Sequence, residues 1–300
     1  MAINSEKNFE IKKLTSFKIG GEISEVFLPE NISEFETILK NNPDIKVFGN
    51  LSNTLVSDDG YSRKIILTKN MNSVKIDGIF VTADCGVKGP KLAQIACENN
   101  LSGLEFMIGF PGSIGGEVYM NASANSQSVS DKLLYAICYS KNDGMIKLSN
   151  KEMNFEYRSS RCQQEDLIVL QACFELEHSN KEIIQKQMDE NLKFRKEHQP
   201  SLSLPNCGSV FKNPKGESAG RLLDSVGAKK MSYGGVRVWE NHANFIVNDR
   251  AGTSLDVLSL MFEMFTKVKE NYNIELEPEV RFLGGNNEKE NELCKILYKK

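Results

Sequence analysis

In residues 31–42, NISEFETILKNN, apolar side chains recur at Phe35, Ile38 and Leu39, the spacing of one helical face, and Asn31 with Glu34 stands at capping-box spacing. The pattern then turns strand-like in IKVFGN (45–50), KIILT (64–68) and IFVTADCGV (79–87). Gly89 and Pro90 open a second helix, with proline at its first position and Leu92, Ile95 and Ala96 facing inward. Two further strands, LLYAICYS (133–140) and DLIVLQACFEL (166–176), flank the polar stretch EYRSSRCQQED. Residues 181–198 form an amphipathic helix with Ile184, Met188 and Leu192 in an i, i+4 column, and the prolines of QPSLSLP mark a linker. After it come a helix in AGRLLDSVGA stopped by Gly227, a strand in HANFIVN, a long amphipathic helix over 254–272 and a strand in EPEVRFLGG. The charged residues beyond Gly285, including 288–292, read as a solvated tail that frays. The chain is therefore expected to be α+β, with a break near 178–203 and an earlier division near 68–72.

A length of 300 residues suits two or three packed subdomains, and 40% hydrophobic with 26% charged residues is an ordinary globular composition. The net charge of −3 gives no electrostatic footprint for nucleic acid. The polar N-terminus lacks a signal-peptide core and no apolar run is long enough for a bilayer, so no membrane partner and a cytoplasmic location are expected. The seven cysteines are odd in number and never spaced C-x-x-C, which favours reduced thiols. His178, His198 and His242 lie far apart, and no metal site is expected.

Residues 109–116, GFPGSIGG, pack Gly109, Pro111, Gly112, Gly115 and Gly116 into eight positions. The spacing is neither a Rossmann turn nor a P-loop, yet glycines still let backbone N–H groups converge on an anion; a plain connection between packed elements is the alternative. FGNLSNTLV (48–56) supplies short polar groups at Asn50, Ser52 and Asn53, suited to a phosphate or ribose oxygen or to an ordinary turn. A ligand gripped by both loops would be long and doubly phosphorylated, as an extended dinucleotide is. Elsewhere, Arg158 in YRSSRC offers a planar fork for an enolate or carboxylate, or a solvated charge. Ser209 follows a glycine in NCGSVFKNP without a G-x-S-x-G elbow, and Glu277 and Glu279 share a strand face with Arg281. Arg195 reads as a contact for a substrate diphosphate or a helix-end charge, and His242 as a cleft residue or a backbone-satisfied core histidine.

Together, TSFKIGG, GNLSN, LSGLEFMIGFPGSIGGEVYMNA, YRSS, GSVFKNP, AGRLLDSVGA and EPEVRFLG occur in an order that resembles the UDP-N-acetylenolpyruvoylglucosamine reductase family, over about residues 14–284 and in the shorter of its two forms. The resemblance implies a PCMH/vanillyl-alcohol-oxidase-type fold: FAD-binding subdomains at 1–70 and 71–178, then a smaller α+β substrate domain at 200–285 whose last strand returns toward the flavin. It implies non-covalent FAD held by Gly49, Asn50, Ser52, Asn53, Pro111, Gly112, Ser113, Ile114, Gly115, Gly116, Asn121 and Ala122, with NADPH as co-substrate. The flavin would pass hydride to C3 of the enolpyruvyl group of a UDP-sugar in cell-wall precursor synthesis. Arg158 would stabilise the enolate, Glu279 assist as an acid partner and Ser209 protonate C2, while Tyr157 and Asn213 hold the substrate. A monomer is expected. Two departures stand out: Leu51 replaces the middle glycine of the family's GNGSN, and MNASANSQS replaces a more glycine-rich MNAGA segment. If position 51 needs φ > 0, leucine costs ~1–2 kcal/mol. An FAD-linked oxidase of the same fold and a non-catalytic nucleotide-sugar-binding relative are the competing readings.

Overall fold

In a computed structural model, residues 3–201 and 203–299 are described. They gather into two compact units that interleave in sequence: unit 1 takes residues 1–5, 26–50 and 65–195, and unit 2 takes 6–25, 51–64 and 196–300.

Unit 1 is organised by a five-stranded antiparallel sheet in the spatial order Gly144–Ser149, Leu133–Ser140, Ile168–Glu175, Phe80–Asp84, Val74–Asp77. The alternation of LLYAICYS buries Leu133, Ala136, Cys138 and Ser140, and a register irregularity falls between Ile137 and Cys138. Helix α1 (Ile32–Asn41) is capped by Asn31, whose side chain accepts from the Glu34 amide. Its apolar stripe of Phe35, Ile38 and Leu39 packs with Ile45, Ile66, Met71 and Leu170. Helix α2 (Gly89–Glu98) and the short α3 (Ile114–Tyr119) contribute Leu92, Ala93, Ala96, Ile114 and Val118 to a second core with Val81, Ala83, Ala172 and Phe174. A short α4 (Arg161–Gln164) follows the YRSS turn, and α5 (Lys181–His198) buries Ile184 and Met188 in that core. Helix α3 is unanticipated: the glycine run opens a helix because its apolar members Ile114 and Val118 are buried, and tertiary packing overrides glycine's low helix propensity.

Unit 2 is built around α7 (Ser254–Tyr272), which begins with a Thr253/Asp256 capping box and ends at Asn273 in the left-handed region. Against it pack α6 (Ala219–Ser225), a three-stranded antiparallel sheet of Ser232–Tyr233, Val236–Val238 and Ile246–Asn248, and Phe17, Ile19 and Leu55 from the N-terminal segments. Strand Arg281–Leu283 pairs in parallel with Thr54–Val56. The expected frayed tail is corrected: Glu288–Leu297 forms helix α8, with Leu297 and Glu290 buried. A charged run conceals this element because only one of its faces packs. All seven cysteines are free thiols, and no helix among the described residues is long and apolar enough to cross a membrane.

Candidate functional site

In unit 1 the two loops singled out by their glycines meet. The strand Lys46–Phe48 ends in Gly49 and Asn50, and the Asn50 amide donates to the Pro111 carbonyl at 2.6 Å. Gly49 is required by its neighbour, because a Cβ there would stand 2.2 Å from the Ser113 hydroxyl oxygen. Ser113 precedes α3 in extended conformation, and its hydroxyl is buried without a hydrogen-bond partner. The amides of Ile114 and Gly115 donate to the carbonyls of Val87 and Cys85, so these two residues offer a ligand space and not a donor. At Gly115 a Cβ would stand 2.8 Å from that of Cys85, whereas at Gly116 an added Cβ would meet no protein atom. Gly112 lies against the Glu117 carboxyl, whose two oxygens are also buried and unpartnered. A loop lined by glycines, open above Gly116 and underlain by orphaned polar atoms fits a phosphate-bearing cofactor such as FAD.

Asn121 and Ala122 follow α3. Asn121 adopts φ 42°, donates to the Glu156 carbonyl and accepts from the Ser130 amide, so its side chain ties three loops together. The Ala122 amide donates to the Glu117 carbonyl. Arg158 lies in the left-handed region at φ 54°, a conformation that costs of order 1–3 kcal/mol and marks functional turns. Its guanidinium donates to the Ser123 hydroxyl at 2.8 Å and stands 5.2 Å from the centre of the exposed Tyr157 ring. The strained turn is clamped by Gln163, whose amide donates to the carbonyls of Arg158 and Tyr119. Sequence reasoning missed Ser123 and Gln163, and no local pattern identifies partners so far apart. Arg195 donates from Nε to the Gly109 carbonyl at 2.9 Å, anchoring the start of the glycine run, and burial lowers its pKa.

Unit 2 holds the other candidates. Residues 209–212 run between two segments: Val210 donates to the Asn244 carbonyl, Lys212 donates to that of Glu277, and the Glu279 amide donates to that of Val210. Ser209 and half-buried Glu279 are thereby placed on neighbouring segments. Asn53 donates from its side chain to the Glu279 carbonyl at 2.9 Å and accepts from the Arg281 amide, so the loop containing Ser52 and Asn53 is stitched to the same segment. The Lys212 ammonium pairs with exposed Glu277 at 2.6 Å. Asn213 accepts from the Ala219 amide at the start of α6. Among the described residues the half-buried Ser209 hydroxyl makes no hydrogen bond. His242 accepts at Nδ1 from the Asn244 amide, and burial lowers its pKa, so it is the backbone-satisfied histidine.

Leu51 stands at φ 52° and is 4% exposed. Glycine there would recover about 1–2 kcal/mol of left-handed strain, but emptying a buried leucine site costs about 2–5 kcal/mol. Leu51→Gly should therefore lower the unfolding free energy by about 1–3 kcal/mol in urea titration. A gain in stability would show that the leucine is there despite its side chain.

Residues 23–148 match the FAD binding domain family, and residues 199–283 match the C-terminal domain family of UDP-N-acetylenolpyruvoylglucosamine reductase. The chain is 39% identical over 284 residues to the UDP-N-acetylenolpyruvoylglucosamine reductase of Caldicellulosiruptor bescii, covering 93% of this chain and 90% of that one. To the protein of the same name from Latilactobacillus sakei it is 37% identical over 290 residues, 95% of each. The crystal structure of the Thermus caldophilus reductase superposes with a TM-score of 0.79 at 31% identity, over 95% of this chain and 100% of that one. The chain belongs to the UDP-N-acetylenolpyruvoylglucosamine reductase family and joins an FAD-binding domain to that family's own C-terminal domain.

Proposed function

We propose that this protein uses NADPH to reduce the enolpyruvyl group of UDP-N-acetylenolpyruvoylglucosamine, yielding UDP-N-acetylmuramate for peptidoglycan precursor synthesis in the cytoplasm. The observation that carries the reading is the Asn50–Pro111 hydrogen bond: it joins the two loops that the sequence marks for a long diphosphate ligand, inside a chain whose family binds FAD. Gly49, Asn50, Ser52, Asn53, the 111–116 loop, Asn121 and Ala122 would hold FAD non-covalently, and the cofactor would supply hydride chemistry between NADPH and C3 of the enolpyruvyl group. The protein's part is to orient the substrate and handle charge and protons. Residues 1–70 and 71–178 serve the cofactor, and 200–285 the nucleotide-sugar. Tyr157 and Asn213 hold that substrate. The Arg158 guanidinium, fixed by Ser123 and by the Gln163 clamp on its own backbone, stabilises the negative charge that develops on the enolate and carboxylate. Glu279 assists as an acid partner, and Ser209 gives its hydroxyl proton to C2. A hydroxyl is a weak acid in water but an adequate donor to a strongly basic carbon beside it. The protein is proposed to act as a monomer.

The visible spectrum tests this directly. Purified protein should be yellow, bleach on addition of NADPH, and recolour anaerobically when the nucleotide-sugar is added. Recolouring by oxygen alone would instead point to an FAD-linked oxidase, and a colourless protein that takes up no FAD would overturn the reading.

A further inference from the structure

Glu117 is a buried acid that none of the roles above uses. It lies in the middle of α3, and its carboxyl is wedged between the first residue of α2 and the glycine loop. A Cβ on Gly89 would stand 2.5 and 2.8 Å from its two oxygens, and one on Gly112 would stand 3.1 Å from Oε1. Neither oxygen has a well-aligned hydrogen-bond partner, and the donor facing them is the Gly89 backbone amide. A carboxylate left so would be an uncompensated buried charge, which a carboxyl avoids by keeping its proton. The 109–116 loop is also where the anionic part of the cofactor is expected, so a second negative charge beneath it would oppose binding through a low-dielectric wall.

We propose that Glu117 is held as a neutral carboxylic acid beneath the Gly112 loop, and that its ionisation weakens binding of the FAD diphosphate there. The inference rests on the reading that this loop holds the diphosphate. Burial pushes the Glu117 carboxyl up to about 8, and the nearby Gly89 amide acts the other way. Ionisable groups on the elements packed around α3 include Cys173 and Glu175 of the Ile168–Glu175 strand, Asp84 at the end of the Phe80–Asp84 strand and Cys85 after it, Lys88 and Lys91 at the start of α2, Asp131, and Arg161 and Cys162 of α4. None of them contributes to the shift, which burial alone drives upward. Bound diphosphate would raise the proton affinity further, so binding takes up a proton between the two midpoints and affinity falls as pH rises. The competing role is a structural one, in which the acid merely fills the gap at the start of α2. That role gives no pH dependence of its own to FAD affinity.

The test is the FAD affinity of apoprotein, read by quenching of flavin fluorescence from about pH 6.5 to 9.5 in the parent protein and in Glu117→Gln. The parent should lose up to about tenfold in affinity per pH unit above the carboxyl midpoint. The glutamine variant should match it at the acid end and stay nearly flat, so any curvature left in it belongs to FAD itself. Parallel curves would overturn the inference while leaving the FAD reading intact; no uptake at any pH would overturn both. Should the variant fail to fold, the carboxyl carbon of Glu117 in the parent can be followed by NMR. A midpoint near neutrality or above that rises when FAD is added supports the proposal. An ordinary glutamate midpoint, or one that FAD leaves unmoved, sinks it.

Discussion

Ser209→Ala should leave reduction of the flavin by NADPH within about twofold of the parent while slowing reoxidation by the enolpyruvyl substrate about 10²–10⁴-fold, the range of a positioned general acid. The split follows from where the serine stands. Its segment is held by main-chain bonds, Val210 to Asn244 and Glu279 to Val210, and its hydroxyl makes no hydrogen bond to a described residue. Removing one oxygen therefore costs the fold little, and unfolding should shift by no more than about 0.5 kcal/mol. On the proposed role, what disappears is the proton for C2, and only the second half-reaction would need it. Stopped-flow measurement of both halves decides the matter. Equal losses in the two would remove Ser209 from the donor role and reduce it to a residue that shapes the site.

What the sequence made legible, and what it hid, divides along a physical line. Helices α1 and α7 can be drawn from the chain almost to the residue, because an amphipathic stripe and an N-terminal capping residue are local signals. Gly227 ends α6 at φ 77° for the same reason, since the left-handed position there favours glycine. The sequence suggested one ligand reaching both the GNLSN and GFPGSIGG loops, and the Asn50–Pro111 hydrogen bond that brings Asn50 to the second loop is compatible with it. Leu51 was visible as a departure, and its φ of 52° shows why glycine is the easier residue there. Features that depend on contacts distant in sequence stayed hidden. Gln163 clamps Arg158 by reaching back to Tyr119, and Ser123 receives the guanidinium from across the turn. Helix α3 is written in glycines that argue against a helix, and Gly115 is tolerable there because it lets the backbone approach Cys85. The burial of Glu117 has no local signature at all.

Helix α8 gives the same contrast an energetic test. Glu290→Ala should destabilise the protein by about 2–4 kcal/mol, because it leaves the buried Ser57 hydroxyl without its acceptor, at about 1–3 kcal/mol, and removes a second hydrogen bond from Ser254. The carboxyl is 1% exposed and accepts from the hydroxyl of Ser57 at 2.6 Å and from that of Ser254. Asp58 lies in the same knot, accepting from the Ser254 amide at 2.7 Å and donating from its own amide to the Ser254 hydroxyl. One side chain thus joins α8 to the 54–58 segment and to the first residue of α7, and alanine would leave the Ser57 hydroxyl facing a hole. Leu297 and the neighbouring Leu293 would lose their hold on the α7 core as well. Glu290→Gln keeps the shape and one acceptor oxygen, so it gives up about one hydrogen bond and its loss should be near 0.5–1.5 kcal/mol. Urea unfolding ranks the three proteins, and amide exchange locates the damage. In the alanine variant α8 should exchange faster than α7, because the helix held by one face opens before the helix at the centre of the core. A shift below about 0.5 kcal/mol, the usual size for a surface substitution, would mean that α8 is the solvated tail its charges suggest.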